Sequence, residues 1–152
     1  MVLRLGATRA QEVQQHLQRV GSSEGINFKF RGRTGNSRNS HRLMHFASLS
    51  GSDVQCRTAE QIFRAYFEEE KDITNQEMLL EAGVQAGLDG DQVNRYLETA
   101  MGGNEVDAEV QKIKDDGVKG VPHFTVNGKQ QFDGAVDAVE FFEAFIDIKQ
   151  GS

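Results

Sequence analysis

Three features of the sequence predict a mostly helical α/β chain. Six short stretches place apolar residues at helical spacing between polar caps and glycines. One Asn-Gly pair, Asn127-Gly128, separates two short runs, the strongest local signal for a β-hairpin. The only proline, Pro122, stands where the first of those runs begins, a position open to a residue that cannot donate to a ladder.

Thr8 is placed to cap a first helix whose Ala10, Val13, Leu17 and Val20 share a stripe, and Gly21 to end it. Ile26-Asn27-Phe28-Lys29-Phe30 alternates apolar and polar, so it reads as a short strand or as an extended strip packed by one face; Arg31 to Asn39 is a polar loop. Ser40 is expected to cap a second helix carrying Leu43, Met44 and Ala47, stopped at Gly51. Thr58 with Gln61 forms a capping-box pattern before Ile62, Phe63, Tyr66 and Phe67, which leaves Cys56 in a loop ahead of a third helix. Thr74 with Glu77 repeats the pattern before Met78, Leu79 and Ala82, with Gly87 at the C′ position. Asp89 caps a fifth helix through Val93, Tyr96, Leu97 and Ala100, and Asn104 a sixth through Val106, Val110 and Ile113, ended by Gly117.

The tail carries the sheet. His123 to Val126 alternates as a strand, Asn127-Gly128 suits a two-residue type I′ turn, and Lys129 to Asp133 can return as partner. Gly134-Ala135 leads into a last helix, Val136 to Ile148, with Val139, Phe142 and Ile146 at helical spacing. The Val121-Pro122 bond can be cis, and the ring pushes Val121 to an extended backbone.

At 152 residues and 38% hydrophobic, one structural unit with a sizeable core is expected. Seventeen Lys and Arg against 23 Asp and Glu give a net charge of −6, which argues against nucleic acid and anionic membranes as partners. A local basic patch is open to Arg31, Arg33, Arg38 and Arg42. The sequence has no apolar run long enough to span a bilayer and no secretory core in Met1 to Ala10, so cytoplasmic residence is expected, in line with a lone cysteine, Cys56.

The order loop, Val121-Pro122, strand, turn, strand, Gly134-Ala135, helix resembles the C-terminal half of a thioredoxin-like domain of the DsbA family. Asn36-Ser37-Arg38-Asn39-Ser40-His41-Arg42-Leu43, then Tyr66-Phe67-Glu68-Glu69-Glu70-Lys71-Asp72-Ile73, then Ala86-Gly87-Leu88-Asp89 are similar to the helical insertion of its FrnE and 2-hydroxychromene-2-carboxylate isomerase branch. The match runs from about Leu5 to Ile148. It implies an incomplete thioredoxin-like fold: residues 1–117 as the DsbA-type helical insertion, and residues 118–152 as the C-terminal β-hairpin and helix. The strand, helix and strand with which family members begin, and which carry their Cys-x-x-Cys, are expected to be missing: no Cys-x-x-Cys occurs in the sequence, which starts after them.

The resemblance implies that Pro122 is cis and faces a thiol-binding site, and that Val121 offers its backbone to an extended substrate. It places Asn36 and His41 near the same cleft, beside an equal reading in which Ser40 and His41 cap and pack. It also implies thiol-disulfide oxidoreductase or glutathione-linked isomerase ancestry, with glutathione as a ligand and no resident cofactor. No catalytic residue is assigned, because disulfide exchange needs a low-pKa thiolate at a helix start and a resolving partner, and Cys56 is alone. Arg57 and a following helix N-terminus nominate Cys56 instead as a reactive thiol.

Other candidates are weaker. His41 and His45 are four apart but have no carboxylate or thiolate at matching spacing, so no metal is assigned. Asp89-Gly90-Asp91 fails as a calcium loop for want of ligands at its later positions, and Glu68-Glu69-Glu70 reads as a solvated helix end. A two-stranded hairpin is marginal alone, and a helix with Phe141, Phe142, Phe145 and Ile146 needs cover. A homodimer, or a partner chain completing the sheet, is therefore expected, and a non-catalytic binding or dimerisation module is the rival to an enzyme-derived reading.

Overall fold

The structure is a computed structural model and describes residues 6–118, 120–128 and 130–150. Seven helices and one hairpin follow in order: α1 (Ala7–Ser23), α2 (Arg38–Ser48), α3 (Ser52–Phe67), α4 (Gln76–Gln85), α5 (Gly90–Glu98), α6 (Gly103–Asp115), β1 (His123–Val126), β2 (Gln130–Asp133) and α7 (Ala138–Gln150). This is the mostly helical α/β architecture expected from the sequence. The chain forms two compact units, Met1–Val106 and Asp107–Ser152.

In the first unit, α2, α3, α4 and α5 pack around Leu43, Ile62, Leu79, Val93 and Leu97, with small Ala47, Ala65 and Ala82 letting the helices approach. Helix ends follow local chemistry where a short polar side chain can reach its own backbone. Asp89 caps α5 by accepting from the Gln92 N–H at 2.9 Å. At the end of α4, Gly87 has φ 100°, its N–H bonds the Val84 carbonyl, and the Leu88 N–H bonds the Gly83 carbonyl, a Schellman pattern. Gly117 repeats it after α6 through Lys114 and Ile113.

Elsewhere the boundaries move. Thr8 lies inside α1, which starts behind Gly6, and α1 runs past Gly21. Gly21 is buried because Phe28 crosses against it where a Cβ would stand. Ser40 is no cap: it lies inside α2, 3% exposed, and its hydroxyl donates to the Ile73 carbonyl at 3.2 Å. Gly51 precedes α3 with φ 111°, and Thr58 lies inside that helix, fully buried, donating back to the Val54 carbonyl at 2.8 Å. Asn75, not Thr74, caps α4 by accepting from the Met78 N–H, while Thr74 bonds Asp72. Asn104 falls inside α6.

Ile26–Arg31 is extended without a sheet ladder. Alternate N–H groups, those of Asn27, Lys29 and Arg31, donate to Glu68 Oε2, the Phe67 carbonyl and Glu70 Oε1 at 3.0, 2.7 and 2.7 Å. Two of the three glutamates read as a solvated helix end therefore receive the strip's backbone. Gly32 lies where a Cβ would approach Glu70 Cα to 3.2 Å, so a side chain here would push the two backbones apart by a few tenths of an ångström.

The presumed basic patch is also broken up. Arg42 is 3% exposed and donates to the Met101, Tyr96 and Thr99 carbonyls at 2.8, 2.7 and 2.6 Å and to Asn39 Oδ1 at 2.9 Å. A guanidinium has five donors and suits the cluster of free carbonyls that closes α5. Its carbon also lies 5.5 Å from the Tyr96 ring centre. Burial raises the Tyr96 phenol, and the Arg42 charge opposes that shift.

The second unit is thinner. β1 and β2 pair antiparallel with His123 opposite Asp133 and Val126 opposite Gln130, and the Gly134 N–H to Pro122 carbonyl bond of 2.8 Å extends the ladder. Asn127 and Gly128 have φ 51° and 69°, as an Asn-Gly turn demands, but the register leaves three residues in the loop instead of two. Lys129, expected to start the return strand, lies outside the described residues. Helix α7 starts at Ala138, two residues later than expected, and presents a different stripe to the hairpin. Phe141 meets Phe124 edge to face at 5.0 Å and lies tilted against Phe132 at 5.2 Å, and Ala144 is buried, whereas Val139 and Phe142 are 63% and 64% exposed.

Candidate functional site

The cleft residues nominated from the sequence are divided between the units. Val121 and Pro122 enter β1 in the second, and Asn36, His41 and Cys56 belong to the first. Neither unit by itself brings all five together.

Val121-Pro122 is a cis peptide bond. The Pro122 carbonyl is held by the Gly134 N–H, so the proline is fixed to the hairpin through the one backbone group it can offer. Val121 is the most exposed large apolar residue described, at 90%. Among the described residues its N–H and carbonyl have no hydrogen-bond partner. The chain thus presents a backbone donor and acceptor next to a fixed ring, an arrangement that can pair with an extended ligand.

Beside it lies a polar pair that spacing had not signalled. His123 Nδ1 and Asp133 Oδ1 are 2.7 Å apart across the hairpin, and His123 Nε2 is 3.5 Å from the Thr125 hydroxyl. Strand alternation puts His123 and Thr125 on one face of β1 and Phe124 on the other, toward Phe141. The carboxylate favours a proton on Nδ1 and leaves Nε2 as the basic nitrogen. Only the register, with residue 123 opposite 133, could have revealed this pair in the sequence.

Asn36 Oδ1 accepts from the Arg38 N–H at 2.9 Å, a local turn that leads into α2. His41 is exposed on α2. Cys56 is exposed within the second turn of α3 rather than in a loop before it. There the helix-terminal field has decayed, and Arg57 is occupied, its Nε donating to the Ala86 carbonyl at 3.0 Å. The helix N-terminus expected to follow Cys56 therefore lies before it, while Arg57 remains its neighbour in the chain. Among the described residues no three His, Cys, Asp or Glu side chains group as a metal site.

A cavity of about 320 Å³ opens between α1, the extended strip and α3, walled by Leu17, Phe30, Tyr66 and Phe67 with Lys29 at its edge. The Tyr66 and Thr34 hydroxyls meet across it at 3.2 Å. Among the described residues no helix is long and apolar enough to cross a membrane.

Residues 3–147 match the family model for the DSBA-like thioredoxin domain. The chain is also similar to the crystal structure of a probable DsbA oxidoreductase from Streptomyces coelicolor, with a TM-score of 0.85 and 27% sequence identity over 96% of this chain. It spans 64% of that protein's length. No curated protein matches the sequence. The match over nearly the whole chain identifies it as a member of the DSBA-like thioredoxin domain family.

Proposed function

We propose that the chain is a ligand-binding member of the FrnE and 2-hydroxychromene-2-carboxylate isomerase branch. It holds a thiol such as glutathione, or an extended peptide, at Val121 and Pro122 in the cytoplasm, and does not itself carry out dithiol exchange. The observation that carries this reading is the Val121 backbone, whose exposed N–H and carbonyl lack partners among the described residues beside a proline whose carbonyl is held by Gly134, just after β2. Disulfide exchange within one chain needs two sulfurs, and Cys56 is the only cysteine. Asn36 and His41 are the first unit's contacts for the same class of ligand, and His123, oriented by Asp133, is placed to accept a thiol proton at Nε2.

The test is a titration of the isotope-labelled chain with glutathione and, separately, with an extended cysteine-containing peptide. Saturable shifts at the Val121 amide and the His123 imidazole are expected, with the imidazole response changed in Asp133→Asn. Shifts spread evenly over the surface, or none at millimolar ligand, would defeat the reading.

A second reading rests on a separate observation. Val139, Phe142 and Phe145 are exposed on α7, which supports a dimerisation module or a partner chain that covers this helix and completes the sheet. A mass by light scattering that doubles with concentration, without any glutathione response, would favour it over ligand binding.

A further inference from the structure

Ile26–Arg31 is an extended segment whose one edge is filled and whose other edge is filled only in part, the Ile26 N–H donating to the Gly21 carbonyl at 2.8 Å. Its odd-numbered N–H groups, Asn27, Lys29 and Arg31, are consumed by Glu68, Phe67 and Glu70. The even-numbered groups point the opposite way, toward α1, as the bond from Gln18 Nε2 to the Phe28 carbonyl at 3.1 Å shows. On that edge the Phe28 and Phe30 N–H groups and the Phe30 carbonyl have no partner among the described residues. Two donors two residues apart, about 6.8 Å along an extended chain, match the carbonyl repeat of another strand.

The surroundings select the occupant. Shallow depressions run beside this edge, lined by Gln14, Gln15 and Gln18 of α1, whose carboxamides can both donate to and accept from a peptide backbone. Arg19 and Arg31 border the same depressions, and Lys29 lines the cavity on the neighbouring side of Phe30. On a chain of net charge −6 this local concentration of cations favours an anionic ligand. We infer that the open edge of Phe28–Phe30, with the glutamine face of α1, is a second peptide site that takes an acidic segment of a partner protein as an added β-strand. It lies in the first unit and does not depend on ligand binding at Val121.

The probe is the capped peptide acetyl-Glu-Val-Glu-Val-Glu-amide, added to the isotope-labelled 152-residue chain. Expected are saturable downfield shifts and slowed hydrogen exchange at the Phe28 and Phe30 amides. Binding should weaken at least about tenfold for a peptide N-methylated at alternate residues, which removes the strand's donors. It should weaken about fivefold in Lys29→Glu, whose backbone bond to Phe67 does not involve the side chain. No saturable change at Phe28 and Phe30 overturns the inference. So does equal binding of the N-methylated peptide, or of the same peptide with lysine for glutamate. Shifts at Val121 alone would assign the peptide to the other site and also overturn it.

Discussion

The two units handle the same problem, holding short elements in place, in different ways. In the first, four helices bury Leu43, Leu79 and Val93 completely, and even Arg42 and Thr58 are sealed inside with their donors satisfied. In the second, Ala144 is the one buried apolar side chain described, and the hairpin depends on rings packed edge-on and tilted around Phe141. The first unit is the better buried of the two, and the second carries the exposed Val121 backbone. Sparse burial leaves the entry to β1 exposed, at the cost of local stability.

Leu79→Ala should have the largest effect. Leu79 is 0% exposed, and the lost packing and cavity cost about 3 kcal/mol, read from a urea melt of the first unit. If amides of the hairpin lose protection at the same denaturant concentration, the contrast between the units breaks. Arg42→Met should cost about 2 kcal/mol, because the carbonyls that end α5 lose their donors; a near-wild-type melt would mean that water replaces them.

Phe141→Ala sharpens the comparison from the other side. A cost of about 2 kcal/mol is expected, less than for a fully buried ring, and faster hydrogen exchange should be confined to the hairpin and α7. An equal loss of protection in α4 would refute that confinement.

The smallest effect expected is on pH. A hydrogen bond from Lys71 holds Glu69 below the usual carboxylate range, and the Thr74 hydroxyl does the same for Asp72. Their folded forms bind protons more weakly than the unfolded chain, so their stabilisation is present above the ordinary carboxylate range and is lost as pH falls through the depressed values. Lys71 is raised, chiefly by its hydrogen bond to Glu81, so its contribution is present below the ordinary lysine range and is lost as pH rises through the raised value. These groups are exposed, and a shallow fall in Tm at both extremes is expected, blunted by salt. A melt unchanged by acid below the carboxylate range would show that this network adds nothing.

The match between sequence and structure follows the reach of the interactions. Asp89, Gly87 and Gly117 were legible because a cap or a left-handed residue acts within four positions of itself. Asn127-Gly128 announced the hairpin for the same reason, although the register lengthened the loop. Ser40 and Thr58 misled because a hydroxyl residue looks alike at a cap and inside a helix, and only the packed neighbours distinguish the two; Cys56 was placed in a loop because Thr58 was read as the cap. For α7 the period was correct and the face was not: Val139 and Phe142 fit a stripe as well as Phe141 and Ala144, and the hairpin chose between them.

By itself the sequence determined the helix-rich order, the hairpin and the proline at its entry, all set by local backbone preference and apolar spacing. The tertiary structure alone decided what each polar group is for. It buried Arg42 against the end of α5, turned Glu68 and Glu70 onto the Ile26–Arg31 backbone and paired His123 with Asp133. The physical reason is that a hydrogen bond is made at about 3 Å, between partners whose separation in the chain carries no local signature.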